Sequence, residues 1–583
     1  MKNRKLLSIF MALLLVVCSL TALAACGSAS TEKNPEQEQS KDDEMDKDDG
    51  EGQSTDRPQS STVRMENFDL IASDVAPSAY VYSEFNIGSG VYDVPNTSHK
   101  MPYQLRGIMA VPEGNGPFPL ALIFHGNHDE ENQTARFDTG FEYLVKSLAQ
   151  QGYIALSIDV IMPYIQSFGG NDDYVEKMSA IVDEHFRTLS AANSGTDKGY
   201  PMDLTGKINF AQTALIGHSR SGAAIFRLAA DQNAKGYDID TFIAIAPAAD
   251  FWVPFSDSEI AFLVPQYDGD VMQLDGIFMM DFLAKRIGGN LSYTLLMGAN
   301  HNFFNQNLER DDSQAIGLEN SYPPLSREEQ EAFLSDFTAG FLASAFGTND
   351  GFYRIDQPQP NRMYGRDVNR VLRLDGAATL IDPTDSAAFS AAGAAVSHVV
   401  DSIAFQEDEI LIDTITIRIL NTILDGTYDK TQDIAFTTMC RDLLSITWAV
   451  ADDAVTAVPA VSDFSGKQAM TLQIVADSAS GLNLAARNGL SFTIVLRDAL
   501  GREAKVVTAP GQNALSTYPG QVHHTELSPD FVISYFAPTT PLGMLSIPLS
   551  YFGGVDLTQI TEMELLFDQT PSGALYIAAW QLQ

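Results

Sequence analysis

The chain has 583 residues, more than one typical domain holds, and 45% of them are hydrophobic, enough to build large cores. Its formal net charge of −39 repels phosphate backbones and anionic surfaces, which excludes nucleic-acid binding as its main business. Of the three cysteines only Cys440 falls where the sequence reads as folded, and no C-x-x-C pair occurs, so neither a disulfide framework, a metal site nor a cofactor is expected.

The first stretch, "MKNRKLLSIFMALLLVVCSLTALAACGS", opens with Lys2, Arg4 and Lys5 and continues as an apolar run to Leu23, the outline of an export signal. Leu23-Ala24-Ala25-Cys26 resembles the cleavage box of bacterial lipoproteins. The resemblance implies a signal peptide over 1–25, removal before Cys26, lipidation of the Cys26 thiol, and a membrane partner reached through the acyl chains at the outer cell surface. Residues 26–62 then read as a disordered acidic linker. Between Thr31 and Ser60 there are 11 acids and 4 bases, a net −7, and almost nothing apolar to offset chain entropy.

Residues 63–347 read as one α/β unit. "YQLRGIMAVP" predicts a strand. "LALIFHG", "YIALSIDV", "TALIGHS", "TFIAIAPAA", "AFLVPQY" and "YTLLMGA" are short apolar runs, continuous rather than alternating, as in strands covered on both faces. Between them, "FEYLVKSLAQQG", "YVEKMSAIVDEHFRTLSAA" and "GAAIFRLAA" carry helical spacing, so a mostly parallel sheet with helices on both faces is expected. "SREEQEAFLSDFTAGFLASAF" predicts the closing helix, with Ser326 and Glu329 as a capping box.

Four pieces in this unit carry chemistry. "TALIGHSRSG" sets Ser219 between a strand and a helix, where a strained turn would lift its hydroxyl above the sheet. The G-x-S-x-G spelling is broken at its fifth position by Ser221, and the glycine follows one later, at Gly222. A serine nucleophile needs a base, and the base an acid. His301 in "LLMGANHNFF" is the only histidine between His218 and His398. "FLVPQYDGDV" offers Asp268 and Asp270 after a strand, and Asp250 follows the strand before it. "FHGNH" would bring a backbone N–H near Asn127 that, with the N–H of Arg220, could form an oxyanion hole. His125 and His218 read as packing under the site, and His128 as either a substrate contact or a loop residue. "DGDV" lacks the spacing of a calcium loop.

The pieces "LALIFHGN", "ALIGHSRSG", "FLVPQYDGDV" and "GANHNFF", in that order, resemble the α/β-hydrolase superfamily. The nearest likeness is to chlorophyllase-, cutinase- and dienelactone-hydrolase-like serine esterases. The resemblance covers about half of the chain. It implies hydrolysis of small-molecule or polymeric carboxylic esters through an acyl-enzyme, with Ser219 as nucleophile, His301 as base and Asp268 as the acid, on the likeness of Asp268-x-x-Val271 to the family's acid loop. Ser221 departs from the family's spelling and bears on the packing of the turn.

Residues 348–583 switch to short, often alternating runs: "EILIDTITIRIL", "MTLQIVADS", "LSFTIVLRDA", "FVISYF", "MLSIPLSYF", "EMELLFD" and "YIAAWQLQ". These predict an all-β sandwich. The ending loosely resembles jelly-roll accessory modules of secreted carbohydrate-active enzymes. Tyr576 and Trp580 would suit a polysaccharide contact if exposed and would be core otherwise. His523 and His524 read as a loop before they read as metal ligands. Two rival functions remain: a binding lipoprotein with an inactive hydrolase fold, and a peptidase on the same fold.

Overall fold

The computed structural model describes residues 61–583 apart from 73–75, 171–173, 249–256, 272–273, 318–322, 350, 403–439, 478–479, 485, 487–488, 517–521 and 524–540. The signal segment, Cys26, Asp250, His524 and the runs "EILIDTITIRIL" and "FVISYF" lie outside the described residues. From Pro58 onward the chain forms one compact unit. It is mixed α/β and dominated by sheet, with 39% of the described residues in strands and 24% in helices.

The larger sheet has eleven strands: β1 (Phe68–Leu70), β2 (Tyr80–Asp93), β3 (Lys100–Pro112), β4 (Phe118–Phe124), β5 (Ile154–Ile158), β6 (Ile208–His218), β7 (Thr241–Ile245), β8 (Glu259–Tyr267), β9 (Leu291–Asn300), β10 (Pro360–Met363) and β11 (Arg366–Arg373). Their order across the sheet is β1-β10-β11-β9-β8-β7-β6-β4-β5-β3-β2. The middle run β9-β8-β7-β6-β4-β5 is parallel throughout, as the continuous apolar segments require. β3 and β11 flank it in the antiparallel sense.

Helices α1 (Glu142–Gln150), α2 (Tyr174–Asn193), α3 (Arg220–Asn233), α4 (Asp275–Ala284) and α5 (Arg327–Ala345) cover both faces. Alternation along a strand divides its side chains between the two layers. In β4, Leu120, Leu122 and Phe124 join Met178, Val182, Phe226 and Ile277 of α2, α3 and α4, while Ala121 and Ile123 meet Leu144, Leu148, Phe333 and Phe337 of α1 and α5. The capping box opens α5. The Ser326 side chain accepts from the Glu329 N–H at 3.3 Å, and Glu329 accepts from the Ser326 N–H at 2.8 Å. No helix among the described residues is long and apolar enough to cross a membrane.

Two further sheets follow. One runs Ser61–Arg64, Glu503–Val507, Thr493–Asp498, Ile560–Phe567, Asp453–Ala457 and Phe389–Ala392; the other runs Ala395–Ser402, Cys440–Trp448, Gly573–Leu582, Ala469–Ala476 and Gly543–Pro548, with Ala378–Ile381 also paired to Gly573–Leu582. Residues of both share one apolar core, in which Trp448 stacks on Phe567 at 4.0 Å between ring centroids. Trp580 is buried in that core, and Tyr576 is half-buried with its hydroxyl on Asp477 Oδ2 at 3.1 Å. Neither stands free on the surface, as a stacking contact with a sugar would need.

The large sheet does not stop at Gly347, where the sequence pattern changes. β10 and β11 lie beyond it, and β11 closes the edge of β9. Conversely Ser61–Arg64, at the junction of the linker and the first unit, pairs with Glu503–Val507 in the second. The two regions are also bonded to each other. The Tyr293 hydroxyl donates to the Leu542 carbonyl, Asn513 Nδ2 to the Val368 carbonyl at 2.7 Å, and Gln583 Nε2 to the Leu372 carbonyl at 3.1 Å. Leu542 and Met544 share a core with Tyr293 and Val371.

Candidate active site

Ser219 sits between the last residue of β6 and the first of α3, with φ 58° and ψ −127°. For a residue with a side chain this is left-handed, strained backbone, of the order of 1–3 kcal/mol, which the surroundings must hold in place. They do so from both sides. The Ser219 N–H donates to the Ile245 carbonyl at 2.9 Å, and the Ser219 carbonyl accepts from Gly222 N–H at 2.8 Å and Ala248 N–H at 3.2 Å. Ala246, in the same loop after β7, is also left-handed at φ 43°.

The broken spelling now has a physical account. A Cβ on Gly222 would meet Pro247 Cβ at 2.9 Å, so glycine is needed at that position. Ser221, by contrast, is fully buried and fully used. Its hydroxyl donates to the His125 carbonyl at 2.5 Å and accepts from the Tyr164 hydroxyl at 2.9 Å. It ties the end of β4 to the start of α3. The loop after β4 crosses the serine closely: a Cβ on Gly126 would lie 2.4 Å from Ser219 Cβ and 3.0 Å from His128 Cε1. Asn127 follows Gly126 in that loop, and Arg220 is the first residue of α3, where backbone N–H groups have no helical acceptor.

Asp268 and His301 come together from the loops after β8 and β9. His301 Nδ1 is 3.0 Å from Asp268 Oδ1 and 3.1 Å from Oδ2. Asp268 is buried, and its Oδ1 also accepts from the N–H groups of Asp270 at 3.0 Å and Val271 at 2.6 Å, the turn that the Asp-x-x-Val pattern pointed to. Asp270 is a different kind of group: its side chain is 60% exposed, and its Oδ2 lies 3.5 Å from His301 Nε2. That Nε2 is buried and has no hydrogen-bond partner among the described residues. Burial disfavours charge on His301, but Asp268 first, then Asp270 and Asp312, outweigh it and push its pKa up to about 9.

His218, next to Ser219, lies ring to ring with His301 at 4.7 Å, and its Nε2 is 3.1 Å from the His301 carbonyl. His128 is 5.1 Å from His218 and 6.4 Å from His301. Burial and the neighbouring imidazoles hold both His218 and His128 well below the usual histidine range, so they stay neutral. His125 Nε2 accepts from the Val160 N–H at 3.0 Å, which leaves its Nδ1 proton for the Gly126 carbonyl at 2.8 Å. It therefore packs and bonds beneath the site.

The sequence reading missed Asp312, which is buried beside His301 and accepts from the His301 N–H. No motif surrounds it in "LERDDSQ", and only the fold brings it to the site. Among the described residues no group of three His, Cys, Asp or Glu side chains could hold a metal ion. Compared with known proteins, the chain matches no family model and no curated sequence.

Proposed function

We propose that this chain is a serine hydrolase of the α/β-hydrolase type that cleaves carboxylic esters, with a β-sandwich attached. What carries the reading is one arrangement. A serine is held in left-handed backbone at a strand-to-helix turn, and the ring of His218 next to it in the chain packs on His301, an imidazole whose Nδ1 is bound to a buried carboxylate while its Nε2 has no hydrogen-bond partner among the described residues.

In this reading Ser219 Oγ attacks the ester carbonyl carbon as His301 Nε2 takes the hydroxyl proton. Asp268 keeps the imidazole in the tautomer with the proton on Nδ1 and stabilises the imidazolium that forms. The tetrahedral oxyanion accepts hydrogen bonds from the backbone N–H of Asn127 and Arg220, the latter at the positive end of α3. Collapse breaks the C–O bond, His301 returns the proton to the leaving alcohol, and Ser219 keeps the acyl group. Water activated by His301 then attacks the acyl-enzyme, and the acid leaves. His301 works only when neutral. Its raised pKa therefore calls for turnover to rise toward alkaline pH, with Asp270 the exposed contributor to that shift.

Surface attachment rests on the segment around Cys26. Loss of metabolic lipid labelling in Cys26→Ala would support it, and unchanged labelling would remove it. The test of the activity is turnover of p-nitrophenyl esters of rising acyl length. Hydrolysis that depends on Ser219 supports the reading. A purified, folded protein that turns over none of them favours the binding-lipoprotein alternative.

A further inference from the structure

Asp312 lies in the segment after the base loop and its buried side chain reaches both the acid loop and the base loop. Its Oδ2 accepts from the Gly269 N–H at 2.7 Å and from the His301 N–H at 3.1 Å, and its Oδ1 accepts from the Asn302 N–H at 2.9 Å. Gly269 belongs to the loop that carries Asp268; His301 and Asn302 belong to the loop that carries the base. One buried side chain thus bridges the two loops whose separation sets the Asp268–His301 hydrogen bond. The same segment is stitched to the base loop twice more. Asp311 Oδ1 accepts from Asn300 Nδ2 at 2.9 Å, and the Arg310 carbonyl accepts from Asn302 Nδ2 at 3.1 Å.

We propose that Asp312 is a positioning residue of the hydrolytic site: its carboxylate clamps the acid loop to the base loop and fixes the imidazole of His301 against Asp268. This rests on the serine-hydrolase reading above. The clamp works through His301 and touches no substrate atom. A reaction that depends on a hydrogen bond between two loops is sensitive to their spacing, since a displacement of about 1 Å in reacting groups can cost about 100-fold in rate.

The charge environment supports a functional role. The groups that face Asp312 and His301 are Asp268, Asp270 and Asp311 on the acidic side, with the neutral rings of His218 and His128 beyond. Burial first, and then Asp268, push the Asp312 carboxyl up to about 6, opposed by His301 and the donated N–H groups. A folded-state value above the ordinary 3.8 means that ionised Asp312 lowers stability as pH rises through that window. Three backbone donors aimed at an ion that the fold holds at a cost are better explained by positioning than by stability alone.

The experiment uses the full chain, with fluorophosphonate labelling to count competent sites and p-nitrophenyl acetate turnover from about pH 6 to about pH 10. Asp312→Asn should still be labelled at Ser219. Per labelled site, its kcat should fall about 10- to 100-fold with KM within about twofold. Its acid limb should move to lower pH by about half a unit or more, because one of the charges that raise the His301 pKa is gone. Asp312→Glu keeps the charge but cannot meet all three donors. It should lower kcat with the limb near that of wild type, and it serves as the reading if the Asn variant does not fold. Wild-type kcat per labelled site and an unmoved limb in Asp312→Asn, or an unaltered kcat in Asp312→Glu, would overturn the proposal. Turnover and labelling that survive Ser219→Ala would instead bring down the hydrolase reading, and the positioning role with it.

Discussion

The large-sheet region and the two-sheet region bury polar groups in opposite ways. In the two-sheet region such groups are consumed locally. Thr508 Oγ1 accepts from Phe492 N–H at 3.0 Å, Asn483 bonds the Ala574 backbone on both sides, and Gln583 Nε2 donates to Thr471 Oγ1 at 2.9 Å. Of the buried polar side-chain atoms without a partner among the described residues, that region holds Trp580 Nε1 and Gln581 Oε1. In the large-sheet region such atoms are more numerous and spread from Ser157 Oγ and His185 to Arg370 Nε, and three of them, His128 Nε2, His218 Nδ1 and His301 Nε2, belong to imidazoles that pack together next to the strained Ser219. An unpaired buried polar atom costs about 1–3 kcal/mol, so a cluster of them beside strained backbone is a local cost that the proposed chemistry would explain. The two-sheet region has the bonding of a scaffold.

The comparison breaks first on the base. His301→Ala should lower ester turnover by about four to six orders of magnitude, because the nucleophile and its base act as a unit. A loss below about tenfold would make the open imidazole an accident of packing. The second way to break it is to cut the regions apart. A chain ending at Gly347 loses β10 and β11, exposes the edge of β9 and strips Leu542 and Met544 from Tyr293. It should fail to fold cooperatively in thermal melting or circular dichroism. A soluble, active fragment of that length would show that the two-sheet region is dispensable.

Two smaller effects sharpen the contrast within the site. Asp270→Asn removes one of the charges that hold the His301 pKa up, while Asp268 keeps its bond. The active form of the base is neutral, so activity falls as pH drops through its pKa. In this variant the acid limb of kcat/KM should lie at lower pH than in wild type, with the plateau rate within about tenfold. A limb that stays in place would mean that Asp270 does not face the base in solution. Ser221→Gly restores the common spelling but leaves the His125 carbonyl and the Tyr164 hydroxyl without their partner. It should cost about 1–3 kcal/mol in denaturant unfolding and leave turnover within about tenfold.

Much of this was legible in the sequence because it is local. The continuous runs "LALIFHG" and "TALIGHS" became β4 and β6, and Asp268 and His301 met because both follow parallel strands on one edge of the sheet. What was not legible is nonlocal. The helix Asp275–Ala284 reads "DGIFMMDFLA", and after its first residue it is too evenly apolar to show a stripe. β10 and β11 are short and carry Asn, Arg and Asp, and only pairing with β9 makes β11 part of the larger sheet. Asp312 follows His301 by 11 residues with no periodic cue, and its three backbone donors come from two other loops.

The central claim is that Ser219 is the nucleophile, and the most direct measurement is the site of covalent capture. The full chain treated with a fluorophosphonate probe and mapped by peptide mass spectrometry should carry the label on Ser219. Ser219→Ala should lose both the label and turnover, while Ser221→Gly keeps both. A label on Ser221, or labelling and turnover that persist in Ser219→Ala, would contradict the account.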